Sequence, residues 1–272
     1  LGANDVLDDA SPVTLSGWSA GTSTLDLAGN SDTIGGLILG GSTTSSAASV
    51  TTGAGTLTLG GDVAYLNASG TGANPLGATI SGKLDLGVTN RTFLVNNSAP
   101  AADDLTVAAD ISGTNALTKA GKGTLVLSGN NVAATGGLSL EEGVTRFESA
   151  GAINGTARDV TVTTPGAVVF APSFGAGNIP TALGNRIVAS SDGIIAADNY
   201  AATGFDFSTA GLTNAYLGAV GAVTYTGTLT PGGTTYRLGG GGGTLTIPGA
   251  NALTGAGNSL NVGGKVTLTA AN

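Results

Sequence analysis

The chain has 272 residues, of which 48 are glycine and only 4% are aromatic, and its formal net charge is −8. Nine basic residues cannot form a surface that neutralises many phosphates, so nucleic-acid binding is excluded as a main activity. The absence of Cys excludes disulfides and thiolate metal sites, and no apolar run reaches the roughly 18 residues of a membrane-spanning helix.

Short alternating segments follow one another from the first residues to the last. In each of them aliphatic side chains occupy every second position, and Thr, Ser or Asp stands between them, which is the period of a strand with one buried face. Gly, Asn, Ser or Pro bounds each segment, as expected for tight turns. The clearest of these predicted strands are residues 13–15, 24–27, 84–86, 105–107, 138–140, 160–162 and 265–268.

One motif of two glycines and a short strand occurs three times, as G-A-G-T-L-T-L at 53–59, G-K-G-T-L-V-L at 121–127 and G-G-G-T-L-T-I at 241–247. The second glycines of successive copies are 68 (55 to 123) and 120 (123 to 243) positions apart, close to multiples of a coil of roughly 23 residues. We therefore predict an all-β parallel β-solenoid of about 10–13 coils, in which equivalent segments stack on one another.

The section 165–235 is less regular and richer in aromatic residues, within a single predicted solenoid that spans residues 1–272. Packing of its rings in the solenoid interior and a ring surface that contacts a ligand are both open interpretations. A lone Trp near the amino end is expected to shield the first coils. The candidate interaction or assembly residues are Trp18, Tyr200, Tyr216, Tyr225 and Tyr236.

Motifs that suggest catalysis are incomplete. The G-W-S-A-G sequence at 17–21 matches a serine-hydrolase elbow, but the chain has no His to take the serine proton. Paired carboxylates are the remaining candidates for an enzyme that acts on polysaccharide or for a Ca²⁺ site. They are Asp5, Asp8 and Asp9, Asp103 with Asp104, and Glu141 with Glu142. Adjacent strand residues point to opposite faces, so Glu141 and Glu142 cannot both face one substrate if they lie on a strand. The Asp clusters lie in turn-like stretches, where water satisfies them. We therefore expect no catalytic, cofactor-binding or metal-ligating residue and no enzyme activity.

Residues 117–131, L-T-K-A-G-K-G-T-L-V-L-S-G-N-N, resemble the autotransporter-associated β-strand repeat, L-x-K-x-G-x-G-T-L-x-L-x-G-x-N. Residues 135–143, T-G-G-L-S-L-E-E-G, are similar to its continuation, with Leu138 in place of the usual Thr. The resemblance implies a right-handed parallel β-helix in an exported surface protein of a Gram-negative bacterium, and it brings no catalytic residues.

The sequence thus favours a structural protein that associates with itself end to end, as part of an extracellular or cell-surface fibre. Open strand edges on the terminal coils would be the means of association. An adhesin or carbohydrate-binding passenger domain, with surface glycans as partners of the face from Tyr200 to Tyr236, is the alternative, and a polysaccharide-acting enzyme is the third. No cofactor and no transmembrane segment are expected. The chain starts at Leu1 without a signal peptide, so we expect a processed product or a segment.

Overall fold

The computed structural model describes residues 1–17, 21–41, 46–67, 76–153, 159–250 and 252–270. The chain is all-β, and its strands stack in parallel as a β-solenoid of about 10 turns, which confirms the predicted fold class. The chain divides into two compact units. Unit 1 comprises Leu1–Leu138 and Gly151–Arg158, and unit 2 comprises Ser139–Ala150 and Asp159–Asn272.

Short strands separated by turns make up both units. The strands up to the first change of unit are β1 (Val13–Leu15), β2 (Gly21–Asp26), β3 (Asp32–Ile34), β4 (Leu37–Gly40), β5 (Ser46–Leu59), β6 (Val63–Leu66), β7 (Ala78–Asp85), β8 (Arg91–Val95), β9 (Leu105–Val107), β10 (Asp110–Ser112), β11 (Leu117–Ala120), β12 (Thr124–Leu127) and β13 (Leu138–Leu140). The later ones are β14 (Val144–Phe147), β15 (Val160–Val162), β16 (Ala167–Phe170), β17 (Ile194–Ala196), β18 (Phe205–Asp206), β19 (Tyr216–Gly218), β20 (Ala222–Thr224), β21 (Leu229–Thr230), β22 (Thr235–Leu238), β23 (Thr244–Ile247), β24 (Ser259–Val262) and β25 (Lys265–Leu268).

Helical structure in the described residues is confined to short segments. The α-helix α1 (Ile179–Asn185) and the 3-10 helices Pro172–Phe174 and Ala176–Asn178 all lie within the section that the sequence marks as less regular. A further 3-10 helix covers Ala150–Ile153. The α-helix α1 and the two 3-10 helices that precede it lie between β16 and β17, and these two strands still pair in parallel.

In unit 1 the interior is built from columns of paired residues, one from each coil. Along one sheet β1, β4, β6, β8 and β11 pair in that order, and along the other β2, β5, β7, β9 and β12 do so. Val50, Ile80 and Val107 form such a column, and each of them is fully buried. The residues before them, Ser49, Thr79 and Thr106, are polar and more exposed, so the period-two pattern of the sequence corresponds to inside and outside.

Coil length is not constant at the predicted value of roughly 23 residues. Leu105 pairs with Leu125, 20 positions on, whereas Val63 pairs with Phe93, 30 positions on. Pairing in register is nevertheless kept in both places. The strands therefore set the columns, and the turns between them take up the difference in length.

The repeated motif does not stack on itself, contrary to the prediction. In the first copy Leu57 pairs with Leu84, whereas in the second copy Leu125 pairs with Leu105, which belongs to the column of Ala48. Strand β5 carries both columns, at Ala48 and at Leu57. The motif is thus a local solution that recurs at different places around the coil.

A close backbone approach explains the second glycine of the motif. A Cβ atom at Gly55 would lie 1.9 Å from the carbonyl oxygen of Asn30 in the preceding coil, and one at Gly123 would lie 2.6 Å from that of Asn96. Such distances are below van der Waals contact, so only glycine fits at these two corners. The recurrence of the motif reflects this steric demand.

Candidate functional site

The last two strands of unit 2 lie at the edges of their sheets. Strand β24 pairs with β22, and β25 pairs with β23. Within the part of the chain that the structure describes, no strand pairs with the other edge of either. We call these two strands the end coil. Its unpaired N–H and C=O groups are a template on which a further parallel strand can form.

The end coil also leaves the interior columns of unit 2 uncovered. Leu238 is fully buried, whereas its partner in register, Val262, is 50% exposed. Tyr236 is 4% exposed and its partner Leu260 is 44% exposed. Paired residues of parallel strands point to the same side, so Leu260 and Val262 are core residues without a coil above them.

A small cavity opens at this end of unit 2. It has a volume of about 200 Å³ and is lined by Tyr236, Leu253, Gly255, Asn258, Ser259, Leu260 and Leu268. That volume is below the roughly 300 Å³ at which pockets for small organic ligands begin. The lining holds no carboxylate and no basic side chain. The cavity is therefore small for an organic ligand, and its lining is part polar and part apolar.

The candidate tyrosines lie mainly in the core of unit 2. Tyr200 is 7% exposed, and its hydroxyl donates to the carbonyl oxygen of Ala171 (2.7 Å) and accepts from the N–H of Gly175 (2.9 Å). The Tyr236 hydroxyl donates to the carbonyl oxygen of Thr254 (2.9 Å). These hydroxyls satisfy backbone groups of turns. Both rings are buried, and Tyr236 also lines the small cavity at the end coil.

Tyr225 is buried as well, at 2% exposure, and its hydroxyl lies 2.6 Å from the carbonyl oxygen of Thr228. Burial raises the pKa of Tyr225 to about 12, because the charged phenolate would lose its hydration. Tyr216 is half-buried, and the Arg237 guanidinium lies 6.0 Å from its ring centroid. Of the four tyrosines only Tyr216 has a partly accessible ring, which makes the ring-surface interpretation the weaker one. Trp18 lies outside the described residues.

Among the carboxylate candidates, Asp104 is buried and holds backbone groups of unit 1. Its two oxygens accept hydrogen bonds from the N–H groups of Ser98 (2.6 Å) and Thr124 (2.7 Å). Burial raises the pKa of Asp104, and those two backbone hydrogen bonds and the charge of Lys119 oppose the rise. Lys119 is fully buried too, and its ammonium donates to the carbonyl oxygen of Gly121.

This cluster explains the lysine of the L-T-K-A-G sequence at 117–121 in physical terms. Lys119 occupies an inward position of β11, in register with Phe93, and stabilises the turn at Gly121, whose φ is +79°. Lys119 stands two positions after the inward-facing Leu117, so the alternation of the sequence indicates that Lys119 also faces inward. Composition alone does not indicate this. The cluster ties turns together and has no free access for a substrate.

The remaining acidic candidates are not brought together. Asp8 accepts from the N–H of Ala10 (2.9 Å), a local turn bond. No group of three or more potential metal ligands occurs among the described residues. Sequence reasoning missed Asp32, a buried carboxylate whose Oδ2 accepts from the N–H groups of Val6 (2.8 Å) and Leu7 (3.2 Å). Asp32 thus holds the amino-terminal segment onto unit 1.

The first coil of unit 1, which we define as β1 and β2, has open edges of its own. Strand β1 pairs with β4 and β2 pairs with β5. Over the described ranges no strand covers their other side, although the amino group of Leu1 donates to the carbonyl oxygen of Asp26. Leu15 and Leu25 are half-buried, whereas their partners in the next coil, Leu39 and Val50, are fully buried.

No protein-family model, curated protein or solved structure matches the chain. The resemblance of residues 117–131 to the autotransporter-associated repeat therefore stays a prediction. Across the described ranges, no helix is long and apolar enough to cross a membrane.

Proposed function

We propose that this chain is a structural, self-associating β-solenoid protein, a subunit or segment of a fibre outside the cell. The observation that carries the proposal is the end coil of unit 2, where Leu260, Val262 and Leu268 occupy core columns and are 44%, 50% and 37% exposed. A second copy of the chain is the occupant that supplies a matching parallel strand. Such pairing satisfies the open edge and covers the apolar columns at once.

The energies involved indicate a weak, reversible contact. Full burial of an aliphatic side chain contributes about 1.5–3 kcal/mol, so covering the exposed part of these three contributes roughly 3 kcal/mol. Edge hydrogen bonds add about 1 kcal/mol each. Association itself costs about 4–15 kcal/mol. We therefore expect assembly that depends strongly on protein concentration.

A fibre in an exposed setting agrees with the rest of the chain. It has no Cys and no Met that oxidation would damage, and its excess of acidic residues favours solubility of the surface away from the ends. The resemblance to an autotransporter-associated repeat points to the same location, the surface of a Gram-negative bacterium.

The test compares the chain with two single variants by sedimentation velocity and negative-stain electron microscopy over a wide range of protein concentration. Val262→Lys places a charge on the uncovered column and should abolish association. Val88→Lys is the matched control, because Val88 is 90% exposed in a turn of unit 1 and should leave association unchanged. A wild-type chain that stays monomeric at every concentration would contradict the proposal.

A further inference from the structure

Charge is distributed very unevenly along the chain. Residues 207–272 contain no acidic residue and two basic ones, Arg237 and Lys265. Residues 1–82 contain no basic residue and six acidic ones, which are Asp5, Asp8, Asp9, Asp26, Asp32 and Asp62. The two ends of the sequence therefore carry charges of opposite sign.

Four of these charged residues lie at or beside the open edges of the units. Lys265 is the first residue of β25 in the end coil, and its side chain is exposed. Asp26 is the last residue of β2 in the first coil and is exposed, as are Asp8 and Asp9 just before β1. Each edge thus combines uncovered core positions with ionised side chains of a single sign, although at the first coil the amino group of Leu1 also lies beside Asp26.

We propose that the self-association is head to tail, so that the end coil of one copy pairs with the first coil of unit 1 in a second copy. This inference rests on the proposed function and names the partner surface. A head-to-tail contact brings Lys265 towards the acidic residues around Asp26, whereas a contact between two end coils brings like charges together. It also leaves one free edge of each kind after every addition, so it propagates into a filament instead of closing at a dimer.

Two variants with one blocked edge each separate the alternatives. Val262→Lys blocks the end coil, and Leu15→Lys blocks the first coil, where Leu15 is half-buried. Head-to-tail pairing predicts that each variant alone is monomeric and that an equal mixture forms a heterodimer and nothing longer. Pairing between end coils predicts instead that Leu15→Lys alone forms a dimer and that mixing adds nothing; either result would overturn the inference.

Circular dichroism of each variant shows whether it is folded. If Leu15→Lys does not fold, Asp8→Lys combined with Asp9→Lys replaces it, since both residues are exposed and lie outside the core. A wild-type chain that is itself monomeric contradicts the proposed function. A wild-type chain that assembles while the mixture does not contradicts only the head-to-tail inference.

The salt dependence of association tests the proposed charge attraction, which the edge-blocking variants do not measure. The Debye length falls from about 30 Å at 0.01 M to about 8 Å at 0.15 M salt, which screens exposed charges. Head-to-tail association should therefore lose more affinity with added salt in the wild type than in Lys265→Gln, since both carry the same overall repulsion apart from that one charge. Lys265→Glu should raise the Kd by about 2- to 5-fold, with Lys265→Gln intermediate. Association that Lys265→Gln strengthens, because it removes a repulsion between two copies of Lys265, indicates a contact between end coils and overturns the inference.

Discussion

Two neighbouring coils of unit 2 have the same design and different surroundings. Tyr236 and Leu238 of β22 are 4% and 0% exposed, whereas Leu260 and Val262 of β24, their partners in register, are 44% and 50% exposed. The residue types are equally apolar in both strands. The comparison teaches that burial in a solenoid comes from the coil on either side, so the same column is core in one coil and interface in the next.

We expect the largest loss of stability at Leu238, and a much smaller one at Val262 in the same column. Leu238→Ala removes a side chain enclosed by coils on both sides and should lower the free energy of unfolding by about 2–5 kcal/mol. Val262→Ala, in the same column, should cost less than about 1 kcal/mol, because half of its side chain already contacts solvent. Urea unfolding followed by circular dichroism measures both. Equal losses would show that the end coil is as enclosed as the one before it.

The buried hydroxyl of Tyr225 should make the stability of the folded chain depend on pH. Because its pKa is raised from 10 in the unfolded chain to about 12 in the folded one, the folded state keeps its proton between those values. The free energy of unfolding should therefore fall as pH rises from 10 to 12, by up to about 3 kcal/mol, and should not recover at higher pH.

Variants isolate this contribution from the other groups that titrate in the same range. Tyr225→Phe should lose less stability between pH 10 and 12 than the wild type, while Tyr216→Phe, at a half-buried ring, should behave nearly as the wild type. Denaturant unfolding at pH 8, 10, 11 and 12 provides the curves. Parallel curves for wild type and Tyr225→Phe would contradict the burial of the hydroxyl.

Close backbone contacts between neighbouring coils should make Gly55 sensitive to substitution. Gly55→Ala would place a Cβ 1.9 Å from the carbonyl oxygen of Asn30, and the resulting shift should cost about 1–3 kcal/mol. Gly177→Ala is the control, since nothing lies within 4 Å of a Cβ there. We expect it to be neutral or slightly stabilising. Thermal unfolding of the two variants distinguishes them, and a neutral Gly55→Ala would mean that the two coils can separate locally.

The fold class could be predicted because alternation is a local property of sequence. Leu105-Thr106-Val107 already shows which side chains face inward, and the structure agrees. Register could not be predicted in this way. The motif copies at 57 and 125 look equivalent, yet they pair with Leu84 and Leu105 in different columns, because pairing depends on how many residues each turn absorbs.

Only part of the candidate site could be predicted from the sequence. Open edges on terminal coils were expected, but nothing local distinguishes Leu260 from the buried Leu238, since exposure depends on a coil that is distant in sequence or belongs to another molecule. The tyrosines illustrate the converse. Their clustering was compatible with core packing and with a ring surface, and Tyr200, Tyr225 and Tyr236 place their hydroxyls on turn carbonyls in the core.

The variable coil length has a consequence for how such a chain can change. Strands 20 and 30 residues apart keep the same register, so the turns between them tolerate added length without altering any pair. The turn at Val88 lies between β7 and β8, and Val88 has the highest exposed fraction of the large apolar side chains described in unit 1. A foreign peptide inserted there should be displayed on the outside while the columns stay intact. The same tolerance would let related chains diversify their surfaces and keep a common interior.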